Sequence, residues 1–323
     1  MKAILPMAGP GTRLRPFTHT QPKHLIKIAG KPLIEYVFKT LIEAGINDVI
    51  LVVGYKRNQI INQLRDEAKF NIHIEYVTQK QPKGIADAML LAEQIIEDEP
   101  FIVYLPDTLI PEGIKKYTRI FLESDAYAMV LTSKLSGTKL YSAGTVQTDE
   151  YGRVIKLEEK STSPRSNLAL AGVYFFKSSA LFDIIKELKP SKRGELEITD
   201  AIQRLVEEGY DVRNTTIPKE YIDAGDPEGL LKANQYILSF IEKPNKGEIK
   251  SEFFSKGKIK ICEGTMICKD SKLYGPIYIG RKCKIGPSTI IGPYVSIDDH
   301  VSIKGGNIKN TICLLYTSPS PRD

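Results

Sequence analysis

The 323-residue sequence lacks the features of several protein classes. No apolar run approaches the roughly 20 residues that a membrane-spanning helix needs, so no membrane partner is expected. The four cysteines form no C-x-x-C pair, which argues against a zinc site or a disulfide framework and fits a cytoplasmic location. The net charge is only +6 and no lysine-rich tract is present, so nucleic acid is not an expected partner. The first residues already have the pattern of an apolar strand, so we expect no signal peptide.

The glycine-rich first stretch follows neither of the common nucleotide-binding patterns. A short apolar strand leads into the string AGPGTR at residues 8–13, without the Gly-Lys-Ser/Thr of a Walker loop or the spacing of GxGxxG. Gly9 and Gly11 carry no Cβ, so the backbone there can turn sharply and point N–H groups at an anion. Arg13 and Lys23 add positive charge. The loop alone therefore suits a polyphosphate, and a strand-to-helix turn with surface cations is the plainer alternative.

Strands and helices alternate along the first 240 residues. The expected strands cover 3–5, 48–53, 72–78, 101–105, 128–131, 143–147, 154–157 and 169–176. The expected helices cover 31–44, 58–69, 86–96, 179–188, 198–208 and 227–240. This order predicts an α/β fold, a Rossmann-like, mostly parallel sheet with helices on both faces. Ligands of such sheets bind at the carboxyl ends of the strands.

A repeat of six residues follows. Its aliphatic positions are Ile261, Ile267, Leu273, Ile279, Ile285, Ile291, Ile297 and Ile303. This hexapeptide pattern predicts a short left-handed parallel β-helix over 259–312, in which the aliphatic side chains of stacked coils share one core. The period is lost after residue 312, and we expect residues 313–323 to be an irregular, non-native tail that truncates the repeat.

Several strings carry a family resemblance. GPGTRLRP at 9–16, followed by Pro22-Lys23 and GKPL at 30–33, resembles the signature of sugar-1-phosphate nucleotidyltransferases. The further matching segments are QKQPKGIADA at 79–88, LPD at 105–107, EEK at 158–160 and RGELEITD at 193–200. With the hexapeptide tail, the chain is most similar to the long form of glucose-1-phosphate thymidylyltransferases. The resemblance implies a catalytic domain over 1–242. The polar, Gly- and Lys-rich composition of residues 243–258 predicts a linker between it and the β-helix.

The resemblance also implies roles for individual residues. The implied catalytic residues are Arg13, Lys23, Asp107 and Asp223, and the two aspartates are also the expected Mg²⁺ ligands. The implied nucleotide-binding residues are Ala8, Gly9, Gly11, Thr12, Arg13, Lys23, Gln79, Gly84 and Asp107. The implied sugar-phosphate-binding residues are Gly144, Glu159, Lys160 and Leu170. The alternative for Asp107 is a turn cap, and the nearby Asp226 is a candidate helix cap.

The expected reaction joins dTTP and glucose 1-phosphate into dTDP-glucose and pyrophosphate. The opening LPMAG at residues 5–9 is closer to UDP-glucose pyrophosphorylases, and Lys27 stands where a proline is commoner, so a UTP-dependent uridylyltransferase is the first alternative. A non-catalytic regulatory subunit that binds nucleotide sugars is the second. An acyltransferase β-helix is a third, for which the repeat offers only His300. We expect the β-helix to act in assembly, with a homo-oligomer as the partner.

Overall fold

Strands and helices alternate through most of the chain, as the apolar runs predict. The computed structural model describes residues 1–66, 69–177, 180–241 and 253–315. The first strands are β1 (Lys2–Met7), β2 (Lys27–Ile28), β3 (Lys31–Pro32), β4 (Asp48–Val53), β5 (His73–Thr78), β6 (Phe101–Tyr104), β7 (Thr108–Leu109), β8 (Ala128–Lys134), β9 (Gly144–Thr148), β10 (Val154–Glu159), β11 (Leu168–Phe176), β12 (Val212–Thr216) and β13 (Ile222–Asp223). The helices are α1 (Leu33–Glu43), α2 (Arg57–Leu64), α3 (Ile85–Leu90), α4 (Glu93–Ile96), α5 (Lys115–Glu123), α6 (Ala180–Glu187), α7 (Ile198–Glu207) and α8 (Pro227–Ser239).

The chain divides into two compact units. The first consists of Met1–Pro10 and Ile34–Ile222. The second consists of Gly11–Leu33 and the chain from Asp223 onward. The segment that carries most of the signature loop is thus grouped with the C-terminal part of the chain.

The first unit is built on a mixed sheet whose main path is β10-β9-β11-β6-β1-β4-β5. β6, β1, β4 and β5 are parallel neighbours, whereas β11 runs antiparallel to β6. β8 joins the sheet through β11, and β12 pairs in parallel with β8. In β4, DVILVV, only the first residue is exposed, which is the pattern of a strand covered on both faces.

Helices cover this sheet with apolar stripes. In α7, Ile198, Ala201, Ile202 and Leu205 are all buried, at the i, i+3, i+4, i+7 spacing of one helix face. The same core contains residues of β1, β6 and β11 and of helices α3 and α6. The predicted α/β class with helices and a mostly parallel sheet is confirmed.

The second unit contains α8 and the hexapeptide repeat. The repeat forms β14 (Phe254–Lys256), β15 (Ile259–Ile261), β16 (Met266–Ile267), β17 (Lys272–Tyr274), β18 (Ile277–Ile279), β19 (Lys284–Ile285), β20 (Ile290–Ile291), β21 (Val295–Ile297), β22 (Ser302–Ile303), β23 (Asn307–Ile308) and β24 (Thr311–Cys313). They make three parallel sheets, because each strand pairs with the strand three positions on. Ile261 pairs with Ile279 and Ile279 with Ile297, so each coil returns after three hexapeptides. The predicted β-helix is confirmed, with its own aliphatic core.

Local differences from the expectations have physical causes. The helix expected at 31–44 begins at Leu33, because residues 31–32 pair with 27–28 as a hairpin. The helix expected at 86–96 is two helices, α3 and α4. Much of the expected linker and tail, residues 243–252 and 316–323, lies outside the described residues. The described parts of both contain strand residues, since β14 lies within the expected linker and Cys313, in the expected irregular tail, ends β24. Within the described ranges, no helix is long and apolar enough to cross a bilayer.

Candidate functional site

The predicted residues of the first unit lie along one edge of its sheet. Ala8 directly follows β1, Gln79 directly follows β5, and Asp107 comes three residues after β6. Since these strands are parallel, their carboxyl ends share an edge, where such sheets bind ligands. Gly54, which directly follows β4 at the same edge, was not predicted. A Cβ on it would lie 2.8 Å from both the Ala8 Cβ and the Gln79 carbonyl oxygen, so the strand ends meet closely there.

Gln79 is buried and its amide is oriented by an acid. Its Nε2 donates to the Asp87 carboxylate at 2.7 Å and to the Gly84 carbonyl at 3.2 Å. An ionised carboxylate only accepts hydrogen bonds, so Asp87 determines that the nitrogen of the amide faces it. The amide oxygen Oε1 is then the end that can accept a hydrogen bond from a ligand.

Gly84 occupies a position that no other residue fits. It precedes α3 with φ of 106°, and a Cβ on it would lie 2.3 Å from the Leu196 carbonyl oxygen. The Leu196 carbonyl also accepts from the Ala86 N–H at 3.1 Å, and the Leu196 N–H donates to the Lys83 carbonyl at 2.7 Å. The segment around Gly84 is therefore fixed to the chain around Leu196.

Asp107 is 92% buried, with 8% of its surface exposed, in the turn after β6. The turn is anchored by two backbone hydrogen bonds, Leu105 N–H to the Gly172 carbonyl at 2.8 Å and Thr108 N–H to the Leu105 carbonyl at 3.0 Å. β7 begins directly after Asp107 and pairs with β13, the two-residue strand that contains Ile222, the last residue of this unit. An anchored, buried carboxylate after a strand is a suitable hard oxygen ligand for Mg²⁺.

All four predicted sugar-phosphate residues come together. Glu159, the last residue of β10, pairs with Gly144, the first of β9. A Cβ on Gly144 would lie 2.8 Å from Leu170 Cδ1 and 2.9 Å from Glu159 Oε2. The Lys160 Nζ lies 3.6 Å from Glu159 Oε1, and Lys160 has φ of 45°, a conformation that lysine rarely adopts. Backbone strain of this kind persists only where surrounding contacts maintain it, and it is common at functional sites.

A second ion pair, between Arg193 and Glu197, belongs to this cluster. No role was predicted for it from the sequence. Arg193 donates through Nη2 to both carboxylate oxygens of Glu197 at 2.7 Å, and it lies 3.7 Å from Glu159 Oε1. Burial raises the pKa of Glu159, as does the nearby Glu197, whereas Lys160, Arg193 and the nearby Thr199 hydroxyl oppose the shift. The RGELEITD string matched the family and could have drawn attention to both residues.

The signature loop belongs to the second unit. Gly11 is left-handed, with φ of 63°, and precedes a 3₁₀ turn over Thr12–Leu14. A Cβ on Gly11 would lie 3.1 Å from the Lys23 Cβ, which brings Lys23 beside the loop, and the Thr18 hydroxyl donates to the Gly11 carbonyl at 2.9 Å. The Arg13 side chain is 60% exposed, and its Nη1 lies 3.9 Å from Asp226. At this distance and exposure Asp226 restrains Arg13 only weakly, which leaves the guanidinium able to reach a phosphate.

Asp223 and Asp226 have different local roles. Asp226 caps α8, since its Oδ1 accepts from the Gly229 N–H at 2.8 Å and Pro227 opens the helix, so the predicted cap is confirmed. Asp223 is exposed and accepts from the Gly225 N–H at 2.8 Å. Among the described residues no group of three or more His, Cys, Asp or Glu side chains forms a ready metal cage. Mg²⁺ commonly takes only one or two carboxylates and completes its shell with water and phosphate, so the carboxylate of Asp107 and that of Asp223 are each of a kind that suits the ion.

A separate cleft of about 570 Å³ is lined by other residues. They are Lys134, Gln147, Thr148, Arg165, Ser166, Asn167 and Leu168. None of the predicted site residues lines this open cleft.

The covered sheet and the residues along its carboxyl edge define an α/β protein of the nucleotide-binding class. The model of the nucleotidyl transferase family matches residues 2–240, and the chain belongs to that family, which confirms the predicted resemblance.

The similarity to known proteins extends beyond the sheet. The low-salt glycan biosynthesis nucleotidyltransferase Agl11 of Haloferax volcanii is 36% identical, over 97% of this chain and 87% of that protein. A glucose-1-phosphate thymidylyltransferase of Streptomyces antibioticus has the same identity and coverage. A crystal structure of a UDP-glucose pyrophosphorylase complexed with UDP-glucose aligns with a TM-score of 0.66 at 28% identity, covering 74% of this chain and 98% of that one. The first two relatives therefore match this chain through the β-helix as well.

Proposed function

We propose that the chain forms an NDP-sugar and pyrophosphate from a nucleoside triphosphate and a sugar 1-phosphate, with dTTP and glucose 1-phosphate as the preferred pair. One observation carries this proposal. In the first unit, Gln79 and Asp107, proposed for the base and the metal, follow the carboxyl ends of parallel strands, and the proposed sugar-phosphate residues belong to or directly follow β9, β10 and β11 of the same sheet. The thymidylyltransferase of Streptomyces antibioticus, similar over nearly the whole chain, supports the choice of substrates.

The reaction needs positioning and charge neutralisation more than proton transfer. An oxygen of the sugar phosphate attacks the α-phosphorus, the bond from the α-phosphorus to the β-phosphate oxygen breaks, and pyrophosphate leaves. Because the attacking phosphate is already an anion, no general base is required. Two polyanions must instead be held in line, a task for fixed cations and oriented backbone groups.

Each charged residue then has a defined part. Arg13 binds the departing β- and γ-phosphates through its planar guanidinium, and Lys23 stabilises the α-phosphoryl group. Glu159 accepts hydrogen bonds from sugar hydroxyls, and Lys160 binds the sugar phosphate. Transferases of this family typically use a divalent metal, and we assign Mg²⁺ to Asp107 and Asp223. When bound, Mg²⁺ neutralises charge on the triphosphate.

Base selection rests on Gln79. With its nitrogen directed to Asp87, the amide oxygen can accept the N3–H of thymine or uracil. Cytosine presents an acceptor at N3, so it would place two acceptors face to face. This contact selects dTTP and UTP together and does not separate them, which keeps the uridylyltransferase as the alternative within the class.

A pyrophosphate-release assay tests the proposal. The full chain would be incubated with Mg²⁺ and dTTP, UTP, CTP or ATP, each with and without glucose 1-phosphate. We expect release with dTTP and UTP only when the sugar phosphate is present. If no pyrimidine triphosphate gives pyrophosphate release, or if release is the same with and without the sugar phosphate, the proposal is contradicted. Tight calorimetric binding of dTDP-glucose without any turnover would instead favour a regulatory subunit.

A further inference from the structure

The hairpin of β2 and β3 is held at its tip by residues from the C-terminal third of the chain. Ala29 and Gly30, with φ of 45° and 86°, make the tight turn. The Ala29 N–H donates to Asn234 Oδ1 of α8 at 3.1 Å and to Ser296 Oγ of the β-helix at 3.3 Å. A left-handed alanine costs on the order of 1 kcal/mol, so these two acceptors help to maintain the turn.

An aromatic ring of the β-helix lies directly on the turn. A Cβ on Gly30 would be 2.1 Å from Tyr278 Cζ, so the ring rests on the bare backbone and excludes any side chain. The Tyr278 hydroxyl in turn lies 3.4 Å from the Cys262 sulfur, a contact inside the β-helix. The tip of the hairpin is thus held by packing against Tyr278 as well as by the hydrogen bonds of the Ala29 N–H.

An ion pair between Lys27 and Asp298 also stabilises the position of the hairpin. Lys27 Nζ donates to Asp298 Oδ1 at 2.8 Å and lies 3.9 Å from Asp299 Oδ2. The Lys27 side chain is 34% exposed and that of Asp298 is 16% exposed, so water screens the pair less than it does an ordinary surface pair.

The hairpin is close in the chain to the signature loop, residues 8–13, which is the proposed phosphate loop. The 3₁₀ turn over Lys23–Leu25 ends two residues before Lys27. Lys23 lies against Gly11, the residue that opens the loop. A shift of the hairpin therefore moves Lys23 and the loop with it, since only a short, bonded stretch of chain separates them.

We propose that the β-helix is a positioning element for the phosphate loop, and that Asp298 acts as a positioning residue through Lys27. The inference rests on the proposed function for the roles of Arg13 and Lys23, whereas the structural coupling can be measured without turnover. Its consequence is that triphosphate binding depends on the face of the β-helix formed by Tyr278, Ser296 and Asp298.

Amide hydrogen exchange tests the coupling directly. Asp298→Asn keeps an acceptor for the Asp299 N–H and removes the charge that binds Lys27. We expect exchange over residues 23–30 to rise by about threefold to tenfold, because loss of the ion pair lets this segment open more often. The matched control is Asp270→Asn, which removes an exposed β-helix carboxylate and should leave this segment unchanged. Equal exchange in the wild type and Asp298→Asn overturns the inference.

Kinetics separate positioning from general stability. In Asp298→Asn we expect KM for dTTP to rise about threefold to tenfold while KM for glucose 1-phosphate stays within about twofold. Asp298→Glu should restore part of the loss, and Lys27→Ala with Asp298→Ala should cost less than the sum of the two single changes, which is how a double-mutant cycle reveals a coupled pair. If both KM values move together with the melting temperature, the role is structural only and the inference fails. A wild type without turnover refutes the proposed function, and the exchange experiment still decides the coupling.

Discussion

At the scale of single residues, Glu159 shows how a binding group lowers stability. Burial raises its pKa above the ordinary value of 4.5, so the folded state holds its proton more tightly than the unfolded state does. The contribution of Glu159 to stability is therefore most favourable at acid pH. It falls as the pH rises from 4.5 through the raised value and stays lower at neutral pH.

Glu159→Gln should separate stability from binding. The amide mimics the protonated acid, so we expect a higher melting temperature than the wild type at pH 7 and no difference near pH 4. KM for glucose 1-phosphate should rise about tenfold, because hydrogen bonds to a charged acceptor are the stronger ones. Glu158→Gln is the control, since Glu158 accepts from the Arg165 N–H instead. A Glu159→Gln protein that melts lower at pH 7, with an unchanged KM, would refute this description.

Sequence patterns predicted some of these contacts and not others. Gly144, Glu159, Lys160 and Leu170 were expected together and are together, although their roles remain predictions. The orientation of Gln79 by Asp87 was not foreseen, because both residues lie in the matched string but their hydrogen bond depends on the turn between them. The Arg193–Glu197 pair was missed for a related reason, since its relation to Glu159 depends on the packing of α7 against β10, two elements that are distant in the sequence.

At the scale of elements, long apolar runs and the six-residue period were reliable guides. Ile279, Ile285, Ile291 and Ile297 are fully buried in the β-helix core. The register shortens afterwards, as Ile291 pairs with Ile308 and Ile297 with Cys313, and so the strict period ends. The β2–β3 hairpin could not be predicted, because its four strand residues have no apolar alternation and depend on contacts far along the chain.

The start of α3 makes a second prediction at this scale. Gly84→Ala places a Cβ against the Leu196 backbone, which cannot move aside as a side chain can. Gly45→Ala is a matched control, since Gly45 also has positive φ, 80°, with nothing within 4 Å of the added Cβ. Both should lose about 1 kcal/mol from the backbone conformation, and Gly84→Ala a further 1–3 kcal/mol or so from overpacking. Urea unfolding measures both, and equal losses would contradict the close approach.

At the scale of the whole molecule, sequence order and compact units do not coincide. The signature loop follows β1 in the chain, yet residues 11–33 group with α8 and the β-helix. The apolar pattern predicts each core separately and carries no information on this grouping, which depends on the hairpin contacts of Lys27 and Ala29. The β-helix therefore belongs to the same compact unit as residues 11–33, which carry most of the family signature.

The most direct test is pyrophosphate release by Asp107→Asn and Asp223→Asn beside the wild type, with dTTP, glucose 1-phosphate and Mg²⁺. Each variant keeps the size and polarity of its side chain and loses the charge that would hold the metal ion. We predict that kcat falls by about 100-fold or more in each, while circular dichroism and the melting temperature show that the fold survives. Turnover within a few-fold of the wild type in either variant would contradict the account.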